Sequence, residues 1–410
     1  MNKSDSERIA AILKNMGHRP SSWQEASWVI INMCSVRQEA VKKVYNLIPN
    51  FKGKKIIVTG CVLKNDKKKL LKMADCVLPI KDLNNWPKIL EGKIKNKPCS
   101  SLRYLKIKPC YQTFPKAFVP IAFGCNQYCA YCVVPYTRGR EVRRNKKEIL
   151  EEIKWLIRKK YNHITLLGEN VNAYPKFVEL LQKITAIRGD FAVNFMAANP
   201  NHFSERLIGE IAKNPKLEKY LHLPLQSGDD AILKKMRRPY TSQQYLELIY
   251  KIKKQIPNVK IVTDIIVGFP GETKKAFENT VNVFNKVGFY QAYIAKYSPR
   301  PGTAAFTLAD DVSLAEKKRR FDVLNQLLKK IAEEKNKKLV GKTETVLVEK
   351  CQDGFCFGKT GGNKTVKFEY PAVNGNGTSP LTRGDKRGVI GKFIKIKIEK
   401  ATAWGLLGEI

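Results

Sequence analysis

Three cysteines share one short run, Gly124-Cys125-Asn126-Gln127-Tyr128-Cys129-Ala130-Tyr131-Cys132, and no fourth lies beside them. A structural zinc site closes four ligands and an electron-carrying [4Fe-4S] cluster takes four thiolates. A compact loop with three therefore suggests a cubane with one iron left open. An open iron can bind a substrate or cofactor. The alternatives are a zinc site borrowing a distant fourth ligand, or three unrelated buried thiols. Two more cysteines end apolar runs: Cys34 closes 28–33, and Cys61 follows 55–59 and Gly60. If both runs are parallel strands, the two thiols reach one carboxyl edge, which is where open α/β sheets place ligands.

The elements around these cysteines read as α/β. Ser4 and Glu7 have the spacing of a capping box, and Ile9, Ile12, Leu13 and Met16 follow at helical period, so a helix is expected from about residue 4 to Gly17. Strands at 28–33 and 55–59 each precede a helical pattern. An α/β sheet normally opens with a strand, so the chain is read as starting inside a βα unit. Residues 96–115 read as a linker. Six strands are then expected at 118–123, 163–167, 193–196, 220–225, 260–267 and 290–297, with amphipathic helices such as 149–160, 177–187, 245–256 and 277–287 between them. This order predicts a partial (β/α)6 barrel whose post-strand loops form the site. A charged helix, 315–339, leaves it. Short strands at 345–348, 365–368 and 393–398, with Gly-rich turns at Gly361-Gly362 and Gly375-Asn376-Gly377, predict a small all-β barrel. The expected domains are 1–95, 116–340 and 341–410.

The chain carries 75 Lys+Arg against 37 Asp+Glu, a formal charge of +38. That excess predicts attraction to a polyanion, with nucleic acid first; solvated lysine-rich helix faces such as Lys67-Lys68-Lys69 account for part of it. Ten cysteines without an N-terminal apolar h-region suggest a reducing compartment, in which thiols serve metals and not disulfides. No apolar run approaches the roughly twenty residues of a membrane helix. A cytoplasmic monomer is the expectation.

Taken together, these stretches resemble the methylthiotransferase family of radical S-adenosylmethionine enzymes, and within it the bacterial branch acting on isopentenyladenosine in tRNA. The resemblance rests on Asn2-Lys3-Ser4-Asp5-Ser6-Glu7, the stretch 31–37 around Cys34, the cysteine loop, and Val134-Pro135-Tyr136-Thr137-Arg138-Gly139-Arg140-Glu141. Stretches 166–172, 222–228, 263–273 and 297–303 extend it, and the C-terminal segment resembles the RNA-binding TRAM domain. It implies two [4Fe-4S] clusters. Cys125, Cys129 and Cys132 would hold the radical cluster, whose electron cleaves S-adenosylmethionine to a radical that takes hydrogen from C2 of the adenine beside the anticodon, at position 37. A second, auxiliary cluster on three cysteines would deliver methylated sulfur. Cys34 and Cys61 match two of those ligands, and the family's third lies just before the motif that begins here at Met1. The expectation is therefore a translation start placed too late, or else a labile auxiliary cluster. The implied partners are the tRNA anticodon stem-loop and an electron donor such as flavodoxin or ferredoxin.

Other residues carry weaker signals. Gly168 and Glu169 end the second barrel strand, where many radical enzymes place a Gly-Glu pair that accepts the cofactor's amino group, although the family more often has Gln at the position of Glu169. Arg138, Arg140 and Glu141 could reach cofactor or phosphate, or form a surface ion-pair network. Gln226 and Asp264 face the proposed site or cap the barrel, and His222 reads as a satisfied core histidine. Tyr370 and Phe368 read as base-stacking residues or barrel core. Cys76 reads as a structural thiol, and Cys99, Cys110, Cys351 and Cys356 have no spacing that assigns a role. Competing functions are threonylcarbamoyladenosine or ribosomal-protein aspartate methylthiolation, and a non-catalytic iron-sulfur RNA-binding protein.

Overall fold

The computed structural model describes residues 1–36, 38–94, 101–369 and 388–410, so Cys99, Tyr370 and the turn at Gly375-Asn376-Gly377 lie outside the described residues. In the N-terminal part, the strands Trp28–Met33 and Lys55–Gly60 pair in parallel, with Met33 opposite Gly60, and Cys76–Val77 extends the sheet. Its faces alternate as the pleat requires. Ile57 joins Ile9, Trp86 and Tyr104 in one core, while Ile56 and Val58 join Val41 and Val44 in another, so the sheet is buried on both sides. Cys76 pairs with Ile57, four residues before Cys61. At about 3.3 Å per residue it sits ~13 Å from the carboxyl edge, which places it away from Cys34 and Cys61.

Two local expectations here are corrected. The first helix is Asn2–Asn15, capped by Met1 without any side-chain bond. Ser4 and Glu7 do not form a capping box because the helix begins before Ser4 and other partners take both side chains. Ser4 Oγ accepts from Arg8 Nη1, and Glu7 Oε1 accepts from Gln112 N and Thr113 Oγ1. Inside the expected linker, Ser101–Leu105 is helical, and Tyr104, Leu105 and Ile107 complete the N-terminal core.

Six parallel strands then follow one another in chain order: Lys116–Pro120, His163–Leu167, Ala192–Phe195, Tyr220–His222, Lys260–Val267 and Gln291–Lys296. The first three form one sheet and the last three another, and a bridge from Val193 to Leu217 joins them into an open barrel. Helices pack outside it, and their apolar stripes share one core with the strands. Their first turns are polar caps, with Asn145, Ser204, Thr241 and Thr273 each accepting a backbone N–H. Apolar periodicity begins only after the cap. This is why Lys146–Arg158, Ser242–Gln255 and Lys274–Val287 each start three residues before the sequence pattern does.

The helix Leu314–Lys337 leads to a closed five-stranded barrel. Two of its strands, Phe355–Thr360 and Gly405–Glu409, interrupt their apolar alternation with glycine and were not expected. A Cβ at Gly358 would collide with Val346 and Leu347, and one at Gly408 with Ile396 and Lys397, so tight closure requires the glycines that hide the pattern. Phe368 is buried in this barrel's core and offers no stacking face. The expectation of metal-serving thiols without disulfides is also corrected. Cys351 and Cys356 lie opposite each other in a hairpin, Cα–Cα 4.0 Å, and form a disulfide. Asp353 and Gly354 turn that hairpin with positive φ at both residues, and an Asp-Gly turn of this type fixes the register that pairs the two cysteines. No described helix is long and apolar enough to cross a membrane.

Candidate functional site

The three-cysteine loop leaves the first barrel strand, as the topology requires of a site at the carboxyl ends. Gly124 starts it at φ +81°, where an added Cβ would strike the Gly139 and Arg140 carbonyls, and Tyr128 turns the loop with φ +46°. The loop therefore folds tightly against the segment that follows it. Cys125 and Cys129 are buried and Cys132 is partly so. Burial pushes the Cys125 thiol up to about 11 and Cys132 up to about 12, so neither ionises near neutral pH without a cation beside it. N–H groups already address the sulfurs: Gln127 N lies 3.5 Å from Cys125 Sγ, and Arg238 Nη1 lies 3.4 Å from Cys129 Sγ. Among the described residues, no three His, Cys, Asp or Glu side chains converge on one metal ion. The fit to a cluster rests on the donors themselves: three thiols on one loop supply three corners of a [4Fe-4S] cubane, where a closed zinc site takes four ligands.

Cys34 and Cys61 share the N-terminal sheet's carboxyl edge. Cys61 N donates to Met33 O at 3.1 Å, and Gly60 permits this approach at φ +94°, where any Cβ would strike Met33 and Asn32. Asn32 Nδ2 donates to Asn2 O at 2.9 Å and Ser6 Oγ at 3.0 Å, fixing the first helix over this edge. Burial pushes the Cys61 thiol up, and Arg138 opposes the shift.

Arg138 joins the two groups. It is 2% exposed, so it is neither a surface ion-pair member nor a phosphate contact. Its Nη2 donates to Asp5 Oδ2 at 2.6 Å and Asn2 Oδ1 at 3.2 Å, and its Nε lies 3.2 Å from Cys61 Sγ and 3.4 Å from Glu169 Oε1. Burial of Asp5 opposes its charge, but Arg138 and the Tyr104 hydroxyl outweigh it and hold the carboxyl below its ordinary value. Arg140 is exposed and keeps the surface reading, whereas the Glu141 carboxylate, paired with Arg143 at 2.7 Å, is largely buried.

Glu169 follows Gly168 at the end of the second strand. Burial raises its pKa, and neither carboxylate oxygen has a hydrogen bond; the Arg138 contact is an ion-pair distance without hydrogen-bond alignment. This buried carboxylate, beside the Arg138 guanidinium and the Met1 ammonium and within electrostatic reach of Cys125 and Cys132, keeps hydrogen-bonding capacity for a donor such as an amino-acid ammonium. Gln226, held at φ +70°, also leaves its Oε1 unpaired. His222 accepts from Ala197 N at 3.1 Å, and its Nε2 lies 3.0 Å from Asp264 Oδ2 without hydrogen-bond alignment, so the ring is half satisfied.

Five features escaped the sequence reading. Arg238, Asp5 and Tyr104 reach the site from distant segments. Tyr128 (38% exposed) and Tyr136 (52%) form an edge-to-face pair, centroids 6.0 Å apart, on the rim of the cysteine loop. Their position beside three cysteines was the available signal. A cavity of about 970 Å3 opens at the opposite end of the barrel, against the C-terminal domain, and is lined in part by Lys3, Lys116, Phe118 and Lys359. It touches none of these cysteines, and the chemistry belongs to the carboxyl end.

Models of three known families match the chain: the Radical SAM superfamily over residues 119–284, the uncharacterized protein family UPF0004 over 1–79 and the TRAM domain over 337–410. The chain is 40% identical over 440 residues to the tRNA-2-methylthio-N(6)-dimethylallyladenosine synthase of Clostridium botulinum (strain Okra / Type B1), covering 100% of this chain and 94% of that one. It is 36% identical over 433 residues, with the same coverage, to the synthase of that name from Thermotoga petrophila. Among solved structures, it is similar to the radical S-adenosylmethionine methyltransferase TsrM from Kitasatospora setae with cobalamin and a [4Fe-4S] cluster bound (TM-score 0.54, 12% identity, 74% of this chain and 73% of that one). It is also similar to the cobalamin-dependent radical enzyme OxsB (TM-score 0.52, 10% identity, 78% and 53%). At these identities the two structures share the fold.

Proposed function

This chain belongs to the methylthiotransferase family of radical S-adenosylmethionine enzymes, and on that premise we propose that Cys125, Cys129 and Cys132 hold its radical cluster and that Cys34 and Cys61 serve the auxiliary one. The enzyme adds a methylthio group to N6-isopentenyladenosine, also called dimethylallyladenosine, in tRNA, with [4Fe-4S] clusters and S-adenosylmethionine as its cofactors. Those groups supply the electron, radical and methylated sulfur that replace hydrogen at C2 of the base.

The observation that carries the residue assignment is the buried line from the three-cysteine loop through Glu169 and Arg138 to Cys61. In this reading Glu169 accepts the ammonium of S-adenosylmethionine, and Gly168 lets Val171 pack closely behind it. Arg138 holds Glu169 and Cys61 at a fixed separation and keeps the negative charges on either side from repelling. Tyr128 and Tyr136 stack on an unpaired base of the anticodon stem-loop, at position 37, while surface Lys and Arg neutralise phosphates. Electrons come from a small donor protein of the flavodoxin or ferredoxin kind, and the enzyme works as a cytoplasmic monomer.

Iron analysis and nucleoside mass spectrometry test this together. Replacing Cys125, Cys129 and Cys132 by Ala is expected to remove about four irons per chain and to abolish both S-adenosylmethionine cleavage and the methylthio nucleoside. Unchanged iron in that variant would sink the assignment.

A further inference from the structure

Each cysteine group meets one arginine, but the two arginines differ in charge balance. Arg138 is paired with Asp5. Arg238, half-buried, aims Nη1 at Cys129 Sγ and has Tyr240, Tyr131 and Cys129 as its electrostatic neighbours; among the described residues no carboxylate pairs with it. A desolvated cation without a counter-ion is unfavourable unless an anion completes its surroundings. The geometry points to Arg238 as a positioning residue that raises the electron affinity of the cluster on Cys125, Cys129 and Cys132. The inference rests on the reading of those three cysteines as ligands.

The placement of Arg238 is fixed from three directions. Its Nε donates to the Tyr240 hydroxyl at 3.1 Å, and that hydroxyl lies 2.9 and 3.0 Å from the Pro224 and Leu225 carbonyls, at the end of the fourth-strand segment. The guanidinium also sits over the Tyr240 ring, 5.0 Å from its centroid. Arg238 N donates to Leu233 O at 2.9 Å, and Ala130 N, inside the cysteine loop, donates to Met236 O at 3.0 Å. The loop and the arginine are thus tied through one short segment, so the N–H to sulfur distance does not depend on a mobile side chain.

One-electron reduction by an external donor adds one negative charge to the cluster and transfers no proton. An N–H and a positive charge at a ligand sulfur stabilise the reduced form more than the oxidised one, which raises the potential. Removing them should lower the reduced-to-oxidised ratio at a fixed poise about tenfold, equal to 59 mV for one electron.

The test is a titanium(III) citrate titration followed by electron paramagnetic resonance, on full-length reconstituted protein carrying Cys34→Ala and Cys61→Ala so that only the three-cysteine loop holds iron. Arg238→Met should lower the midpoint, Arg238→Gln should lower it less, and Arg238→Lys should return it toward the starting value. A midpoint unmoved in Arg238→Met at equal iron content overturns the proposal, as does a Lys variant as low as Met. If Arg238→Met assembles no cluster, an unmoved midpoint in Arg238→Gln is decisive against it. Loss of the premise is separately visible: the Cys34→Ala/Cys61→Ala protein with its native arginine would then bind no iron at all.

Discussion

Arg138 Nε lies 3.2 Å from Cys61 Sγ, a contact that spans 77 positions of sequence. It places a barrel side chain against the carboxyl edge of the N-terminal sheet, and the same guanidinium answers Asp5, which is fully buried. Arg138→Gln leaves the Asp5 carboxylate buried without its counter-ion, a change that typically costs about 3–5 kcal/mol. Combining it with Asp5→Asn should recover much of that loss. Urea unfolding followed by circular dichroism measures both, and strictly additive effects would mean that the pair is not coupled.

The same pair sets an acid limit. Burial pushes the Asp5 carboxyl up, yet Arg138 prevails and its folded value is depressed. A depressed carboxyl contributes stability that is complete above its unfolded value of about 3.9 and is lost as pH falls through the folded value. The N-terminal unfolding midpoint should therefore hold steady from pH 7 to about pH 5 and decline below that. Asp5→Asn should flatten the decline; an equally steep one would assign it to other groups.

Glu169→Leu keeps the approximate size of the side chain and removes both its charge and its acceptor oxygens. A hydrogen bond to a charged group contributes about 1.5–3 kcal/mol, so S-adenosylmethionine should bind roughly 10 to 150 times more weakly while iron content stays the same. Equilibrium dialysis with the reconstituted protein reads this directly. Unchanged affinity would remove Glu169 from the cofactor site.

Tyr136 is exposed on the rim of the cysteine loop. Stacking of a base on an aromatic contributes about 1–3 kcal/mol, so Tyr136→Ala should raise the KM for tRNA about 5- to 150-fold. Cleavage of S-adenosylmethionine without RNA should continue at the parent rate. A loss of that RNA-independent cleavage would point to a structural role for the ring instead.

The sequence by itself determined the covalent and periodic features of this protein. Three thiols on one loop, apolar runs that end in Cys34 and Cys61, and six strand-helix units are local patterns, and they survive in the structure because burial of apolar stripes enforces the same periods. Local pattern also misled where distant groups compete. Ser4 and Glu7 have capping-box spacing, but Gln112 and Thr113, far along the chain, claim Glu7. Gly358 and Gly408 break strand alternation because backbones approach too closely there for a Cβ. Only the tertiary structure could decide that Arg138 is buried between Asp5, Cys61 and Glu169, that Arg238 faces Cys129 without a carboxylate, and that Cys76 lies away from the ligand edge. Such relationships depend on the register of parallel strands and on which buried charges meet, and electrostatic pairing across tens of residues leaves no periodic trace in the chain.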